Sequence, residues 1–239
     1  NAWLKAQGFA LWLPIAPLPC VASMAARIAK ACDKYRFDGD FTIAGQPLVL
    51  TETFHTWDAG VVLSKYLERH YARTSLGRQL SVLELGAGTG IAGLSCALLG
   101  HRVLLSDVGR DLAEATSGHI LQNQRQIEAA GGSASCEEID WTALPDRRLF
   151  GTFDVAFAGD VIWNASLVEP FVAALAWAGA GEMMLAHKVR NEVCDLSAIA
   201  NFERLAKKAG LSVEKCVDTA RVLGSDGHPK VFIYHLRKL

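Results

Sequence analysis

The sequence predicts an α/β fold whose central sheet has seven mostly parallel strands, a terminal antiparallel strand and helices on both faces. Two observations predict it. From residue 81 onward, strand-like runs alternate with helical patterns, which is typical of parallel strands joined by crossover helices. The last two runs are joined only by the turn-rich segment 224–229, which predicts an antiparallel pair.

Each element is assigned from the spacing of its apolar residues. The strand-like runs are 82–85, 103–106, 134–139, 153–158, 183–186, 212–217 and 231–236. The helical patterns between them are 91–99, 112–127, 167–177 and 196–209.

The chain before the sheet carries three further patterns. Residues 20–35 and 57–71 have helical spacing, and two short strand-like runs, 41–43 and 48–51, flank Gly45 and predict a hairpin. We therefore divide the chain into residues 1–54, an apolar segment with a helix and a hairpin, and residues 55–239, the domain that contains the sheet. The sequence shows no internal repeat and no second domain.

Composition excludes several classes of function. The 24 basic residues nearly balance the 25 acidic ones, so nothing indicates a nucleic-acid partner. The six cysteines are scattered without metal-ligand spacing, which favours reduced thiols in a cytoplasmic protein and no metal site. Residues 6–26 lack charge, but Pro14, Pro17 and Pro19 interrupt them, so we expect packing on protein and no membrane span.

A glycine-rich turn follows the first strand of the sheet. Gly86, Gly88 and Gly90 precede the helix that begins near Ile91, an arrangement that brings backbone N–H groups close to a phosphate or carboxylate. A dinucleotide fingerprint would need glycine or alanine at position 91, so Ile91 disfavours a nucleotide-dependent oxidoreductase. Asp107, at the end of the next strand, has the place of a ribose-binding carboxylate in either kind of site.

The turn and four other stretches carry a family resemblance. The run E-L-G-A-G-T-G, with Glu84 on the strand, resembles the first motif of class I S-adenosylmethionine-dependent methyltransferases, which have a Rossmann-like sheet. Residues 56–60 (TWDAG), 139–141 (IDW), 153–163 (FDVAFAGDVIW) and the hairpin resemble the small lysine methyltransferase-like family, methyltransferase family 16. The resemblance covers about residues 37–239.

That resemblance implies S-adenosyl-L-methionine as cofactor, S-adenosyl-L-homocysteine as product, and a set of cofactor-binding residues. Trp57 would contact the cofactor, Asp107 would hold the ribose, and Gly159, where the family usually has alanine, would contribute its backbone. The remaining expected contacts are Glu84, Gly86, Ala87 and Gly88 at the amino-acid end of the cofactor and Asp140 and Trp141 beside its adenine.

The resemblance also places Asp160 and Trp163 beside the channel where the acceptor meets the methyl group. Trp163 stands where the family has tyrosine or phenylalanine, and its ring can hold a cation without offering a hydroxyl. We expect Asp160 to position the acceptor without acting as a strong base. The expected function is protein-lysine N-methylation by a cytoplasmic monomer. Histidine, an N-terminal amine or a small molecule remain alternative acceptors, and a non-catalytic cofactor-binding module remains an alternative class.

Overall fold

The computed structural model describes residues 38–51, 55–72 and 77–239. The helix predicted over 20–35 and the uncharged run 6–26 lie outside these residues. The predicted hairpin is confirmed: β1 (Asp38–Ile43) pairs antiparallel with β2 (Gln46–Val49). Ala44 and Gly45 make its turn with φ of 50° and 75°, the double positive φ that suits the twist of a two-residue hairpin.

The predicted strands and helices of the domain are confirmed, with ends shifted by a few residues. In chain order they are α1 (Asp58–His70), β3 (Ser81–Leu85), α2 (Ile91–Leu98), β4 (Arg102–Asp107), α3 (Arg110–Ala129), β5 (Ser133–Glu138), β6 (Val155–Gly159), α4 (Ala165–Ala178), β7 (Glu182–Lys188), α5 (Glu192–Lys208), β8 (Leu211–Asp218), α6 (Thr219–Leu223) and β9 (Val231–Lys238).

One expectation about the connections is wrong. A short helix, α6, follows β8, where the sequence indicated only a turn before the last strand. The Asp218 side chain accepts a hydrogen bond from the backbone N–H of Arg221 at 3.2 Å and so caps the helix. Five residues are too few for helical spacing to be seen in a sequence.

The seven strands lie in the order β5-β4-β3-β6-β7-β9-β8. Strands β3 to β7 are parallel to one another, and β9 is antiparallel to both β7 and β8. The chain runs outward from β3 to one edge and then crosses to β6 to build the other half. The loops after β3 and β6 therefore diverge, which leaves a crevice at the carboxyl ends of these two strands.

Apolar side chains cover both faces of the sheet. Val82 of β3 belongs to the cluster formed with the hairpin, α1 and α2, whereas the next residue, Leu83, belongs to the cluster formed with α4 and α5. Burying one such aliphatic or aromatic side chain contributes about 1.5–3 kcal/mol, so both faces hold the strands in register. Among the helices in the described ranges, none is long and apolar enough to cross a membrane.

Candidate active site

A cleft of about 620 Å³ opens at the carboxyl ends of β3, β4 and β6, where the strand order reverses. His55, Thr89 and Leu167 are among the cleft residues that sequence reasoning did not select. All eleven residues that it did select line this cleft: Trp57, Glu84, Gly86, Ala87, Gly88, Asp107, Asp140, Trp141, Gly159, Asp160 and Trp163. The roles expected of these residues stay predictions.

The glycine loop after β3 forms the floor of the cleft. Gly86 has a φ of 68°, and a Cβ atom there would lie 2.8 Å from Cγ1 of Val161, so a side chain is excluded by both backbone and space. Gly88 has open space where its Cβ would be. The loop therefore lets a ligand approach the backbone closely at Gly88.

Asp107 closes the end of β4 against this loop. Its Oδ2 accepts a hydrogen bond from the N–H of Gly88, and its Oδ1 accepts one from Val108, each at 2.7 Å. Burial raises the pKa of the Asp107 carboxyl, and these two hydrogen bonds oppose the rise. Each oxygen keeps a second lone pair, so the carboxylate can still accept hydrogen bonds from two vicinal hydroxyls of a ligand.

Glu84 lines the cleft but directs its carboxyl group to the start of α2. Its Oε2 accepts a hydrogen bond from the N–H of Gly93 at 2.9 Å, which satisfies one of the unpaired donors of the first helical turn. A Cβ at position 93 would lie 2.5 Å from this oxygen, so the contact requires glycine. Burial raises the pKa of Glu84 to about 8, so the group is largely protonated at neutral pH.

Trp141 forms a side wall beside Gly86. Its ring packs against Phe171 with 5.4 Å between centroids, and its buried Nε1 has no hydrogen-bond partner among the residues that the structure describes. An unpaired buried donor is costly in free energy, so a ligand atom or water is expected there.

Asp140 is exposed beside Trp141. Hydrogen bonds from the backbone N–H and the hydroxyl of Thr142, both 2.7 Å, lower the pKa of its carboxyl.

Asp160 lines the cleft just after β6, in a positive-φ conformation of 64°. Its side chain is buried and forms a two-pronged ion pair with Arg190, whose Nη1 lies 3.0 Å from Oδ1 and whose Nη2 contacts Oδ2. The helix cap that Asp160 might have supplied is instead provided by Asn164, which accepts from the Ser166 N–H at 3.1 Å. The charge of Asp160 is therefore balanced by a neighbour that the sequence did not reveal.

Further charged groups surround this ion pair. The buried His187 has its Nδ1 3.5 Å from Asp160 and its Nε2 3.7 Å from Asp195, both too long for normal hydrogen bonds. Burial lowers the pKa of His187 against the pull of these two carboxylates. Lys188 forms its own ion pair with Asp58 at the start of α1. The sequence did carry one signal for this ion pair. Arg190 is a basic residue that follows β7, the strand beside the one that ends before Asp160.

Two tryptophans stand at the mouth of the cleft. Trp163 is 70% exposed and Trp57 is 43% exposed, which is unusual for such large apolar rings. The guanidinium of Arg190 lies 5.4 Å above the centroid of the Trp57 ring, and His55 meets that ring edge-on at 5.0 Å. The mouth thus offers aromatic faces to an incoming group, while the nearest carboxylate is already paired.

Comparison with known proteins places this cleft in context. The sequence model of a family described as lysine methyltransferase matches residues 49–201. The chain is 30% identical over 164 residues to the protein-lysine N-methyltransferase rrg1 of Schizosaccharomyces pombe, covering 64% of this chain and 53% of that protein. It is 35% identical over 109 residues to the mouse protein N-lysine methyltransferase METTL21A, covering 45% of this chain and 46% of that protein.

These two matches cover only part of the relatives, since the chain spans about half the length of each. Among solved structures, magnesium protoporphyrin IX methyltransferase from Synechocystis, determined with bound S-adenosylhomocysteine, superposes with a TM-score of 0.54. At 15% identity, covering 76% of this chain and 86% of that one, this likeness shows the fold alone.

Proposed function

The chain belongs to the lysine methyltransferase family, and from this membership we propose that it transfers a methyl group from S-adenosylmethionine to a lysine of another protein. S-adenosylmethionine is the cofactor. The observation that carries the proposal is the meeting, in one cleft, of a glycine loop, a strand-end carboxylate and exposed aromatic rings. Family membership removes the oxidoreductase alternative.

The described residues fit this cofactor. The open backbone at Gly88 suits the amino-acid end, and the free lone pairs of Asp107 suit the ribose hydroxyls. The unpaired Nε1 of Trp141 lies on the wall where an adenine would be held, beside Asp140. We propose that Gly86, Ala87, Gly159 and Trp57 complete the contacts through backbone and ring, and that Glu84 supports the loop by holding α2.

Bound S-adenosylmethionine supplies an activated methyl carbon: the acceptor nitrogen bonds to it while the carbon–sulfur bond breaks, leaving S-adenosylhomocysteine. The residues of the chain then have to align the acceptor and exclude water. A lysine with a solution pKa of about 10.4 must also lose a proton first. Both oxygens of the Asp160 carboxylate are engaged by Arg190, so we propose that the proton leaves to water at the open mouth.

Trp163 and Trp57 are the proposed guides for the acceptor. Because Arg190 neutralises Asp160 and its guanidinium already lies over the Trp57 ring, attraction of an ammonium group falls mainly to the electron-rich face of Trp163. Asp160 then acts as a positioning residue whose ion pair fixes the turn that carries Trp163. This refines the sequence-based expectation, in which Asp160 itself would orient the ammonium.

We also propose a cytoplasmic monomer that acts on protein and needs neither nucleic acid nor a membrane. The balanced charge and scattered cysteines support this setting. Exposed tryptophans suit a protein acceptor better than a small molecule, because aromatic side chains are enriched where proteins meet.

Incubation with deuteromethyl-labelled S-adenosylmethionine and a cell extract, followed by mass spectrometry, tests the proposal. The expected result is label on a lysine side-chain nitrogen of one or a few proteins. Asp107→Ala should lose the label, whereas Asp146→Ala, on an exposed loop outside the cleft, should keep it. Label on histidine, an N-terminal amine or a metabolite would contradict the acceptor, and binding of S-adenosylhomocysteine without any transfer would indicate a non-catalytic module.

A further inference from the structure

One face of α3 carries polar side chains where an amphipathic helix would bury apolar ones. Thr116, His119 and Asn123 have the spacing of one helix face and are each at most 1% exposed. They share the inner side of α3 with Ile127, which belongs to the hydrophobic core. Buried polar groups cost free energy unless they are paired, so the partners of these three residues indicate what the face does.

Two of the three residues hold consecutive carbonyl groups of the glycine loop. The hydroxyl of Thr116 donates to the carbonyl of Gly88 at 2.7 Å, and Nδ1 of His119 pairs with the carbonyl of Thr89 at 2.9 Å. In a trans peptide the carbonyl and the next N–H point in opposite directions, so the bond to Gly88 turns the N–H of Thr89 away from α3. A ligand carboxylate is attracted by such N–H groups and repelled by carbonyls.

The other side of the His119 ring is bound to the hairpin. Its Nε2 faces the backbone N–H of Thr51 at 3.0 Å, just after β2. An N–H can only donate, so Nε2 accepts and the ring proton lies on Nδ1, where it is given to Thr89. One neutral imidazole therefore joins the exit of the hairpin to the loop that floors the cleft.

The third residue, Asn123, contacts the hairpin but not the loop. Its side chain accepts from the Val49 N–H at 2.9 Å and donates to the Val49 carbonyl at 2.7 Å. It is as buried as His119 and on the same helix face. Asn123 therefore provides a matched comparison for the effect of losing a buried polar contact away from the cofactor site.

We propose that His119 is a positioning residue for the cofactor: as the Nδ1-protonated tautomer it fixes the carbonyl of Thr89, while its other ring nitrogen holds the exit of the hairpin. The inference deepens the proposed function at its donor site and is independent of the acceptor. It predicts that the donor nitrogen of His119 matters for cofactor affinity, while the acceptor nitrogen matters for the hold on the hairpin.

Two substitutions separate the two nitrogens. Asparagine at position 119 can place an N–H where Nδ1 lies, and glutamine can place an oxygen where Nε2 lies. In calorimetric titration with S-adenosylhomocysteine, His119→Gln should raise Kd about 10-fold, the cost of an unpaired buried carbonyl, and His119→Asn by less than about 3-fold. Asn123→Ser should lower Tm by a similar few degrees yet leave Kd within about 2-fold of the wild type.

Long-range proton–nitrogen NMR of the His119 ring adds a readout that stability alone does not change. The expected spectrum of the S-adenosylhomocysteine complex has the proton on Nδ1, and a proton on Nε2 would overturn the proposal. So would equal Kd values for His119→Gln and the Asn123→Ser control at equal Tm. If the wild type itself failed to bind S-adenosylhomocysteine, the donor site would be wrong as a whole, and methylation of a residue other than lysine would leave the role of His119 intact.

Discussion

The donor end and the acceptor end of the cleft are held in place by different kinds of contact. At the donor end, backbone groups of the glycine loop are held by the side chains of Asp107, Thr116 and His119 through hydrogen bonds of 2.7–2.9 Å. At the acceptor end, the turn after β6 is held by the Asp160–Arg190 ion pair, and the exposed ring of Trp163 stands at the rim.

This difference matches two requirements: the donor end binds a cofactor that does not change, whereas the acceptor end binds a substrate that can differ. A methyl donor is the same molecule for every acceptor, and backbone N–H groups in a rigid loop suffice to bind its carboxylate. An acceptor protein is recognised by side chains on loops, which can be exchanged without disturbing the sheet. Substitutions at the two ends should therefore change different quantities.

Removing Asp107 should give the largest effect, and only on the donor side. Asp107→Ala takes away the proposed acceptor of two ribose hydroxyls and leaves the N–H of Gly88 unpaired, which together cost about 3–4 kcal/mol, or about 100-fold or more in Kd. Calorimetry with S-adenosylhomocysteine measures this, with the exposed Asp146→Ala as control. A Kd within a few-fold of the wild type would show that Asp107 does not hold the ribose.

Removing Arg190 should destabilise the acceptor end. Arg190→Ala leaves the buried carboxylate of Asp160 without its partner, at a cost of about 3 kcal/mol in the free energy of unfolding. Urea denaturation of Arg190→Ala, Asp160→Asn and the double variant gives the coupling between the two. We expect the double variant to be more stable than Arg190→Ala, because the neutral amide no longer leaves an unpaired charge. Strictly additive losses would contradict the ion pair.

Glu84 should make stability depend on pH. Its folded pKa of about 8 lies above the ordinary value of 4.5, so the folded state binds the proton more tightly and loses stability as pH rises through this window. Glu84→Gln cannot ionise, and its stability relative to the wild type should rise by about 3 kcal/mol between pH 5 and pH 8. Thermal unfolding at several pH values measures the trend. Glu128→Gln, on the exposed side of α3, is the control and should follow the wild type.

Trp163 should give the smallest effect, confined to the acceptor. Because an exposed cation–π contact contributes about 0.5–1 kcal/mol, Trp163→Ala should raise KM for the methylated protein a few-fold, and Trp163→Phe less. The Kd for S-adenosylhomocysteine should not change with either variant. A matching loss of cofactor affinity would show that the two ends are not separable.

The donor end could be predicted from sequence because its parts are local. The glycines directly follow a strand, and Glu84 and Asp107 lie on strands whose apolar runs are clear in the sequence; the alternation of elements indicated where those strands end. The sheet was foreseeable for the same reason. The prediction from sequence failed where an element is short or where a contact joins distant parts of the chain. Helix α6 is a single capped turn, and its five residues show no period.

Two groups of residues depend on contacts that no spacing reveals. Asp160 and Arg190 meet only because β6 and β7 are neighbours in the sheet. His119 looks like any polar residue of a helix until β2 and the glycine loop are placed on either side of it. The sequence thus revealed eleven of the residues that line the cleft, but not Arg190 and His119, which hold its walls in position.

A crystal structure of the protein with S-adenosylhomocysteine bound is the most direct test of the division between the two ends. We expect the amino-acid end of the cofactor beside the glycine loop, the ribose hydroxyls on Asp107, the adenine beside Trp141 and the sulfur facing the mouth formed by Trp163 and Trp57. The Asp160–Arg190 pair should stay closed. A cofactor bound with its sulfur away from that mouth, or with its ribose out of reach of Asp107, would contradict the account.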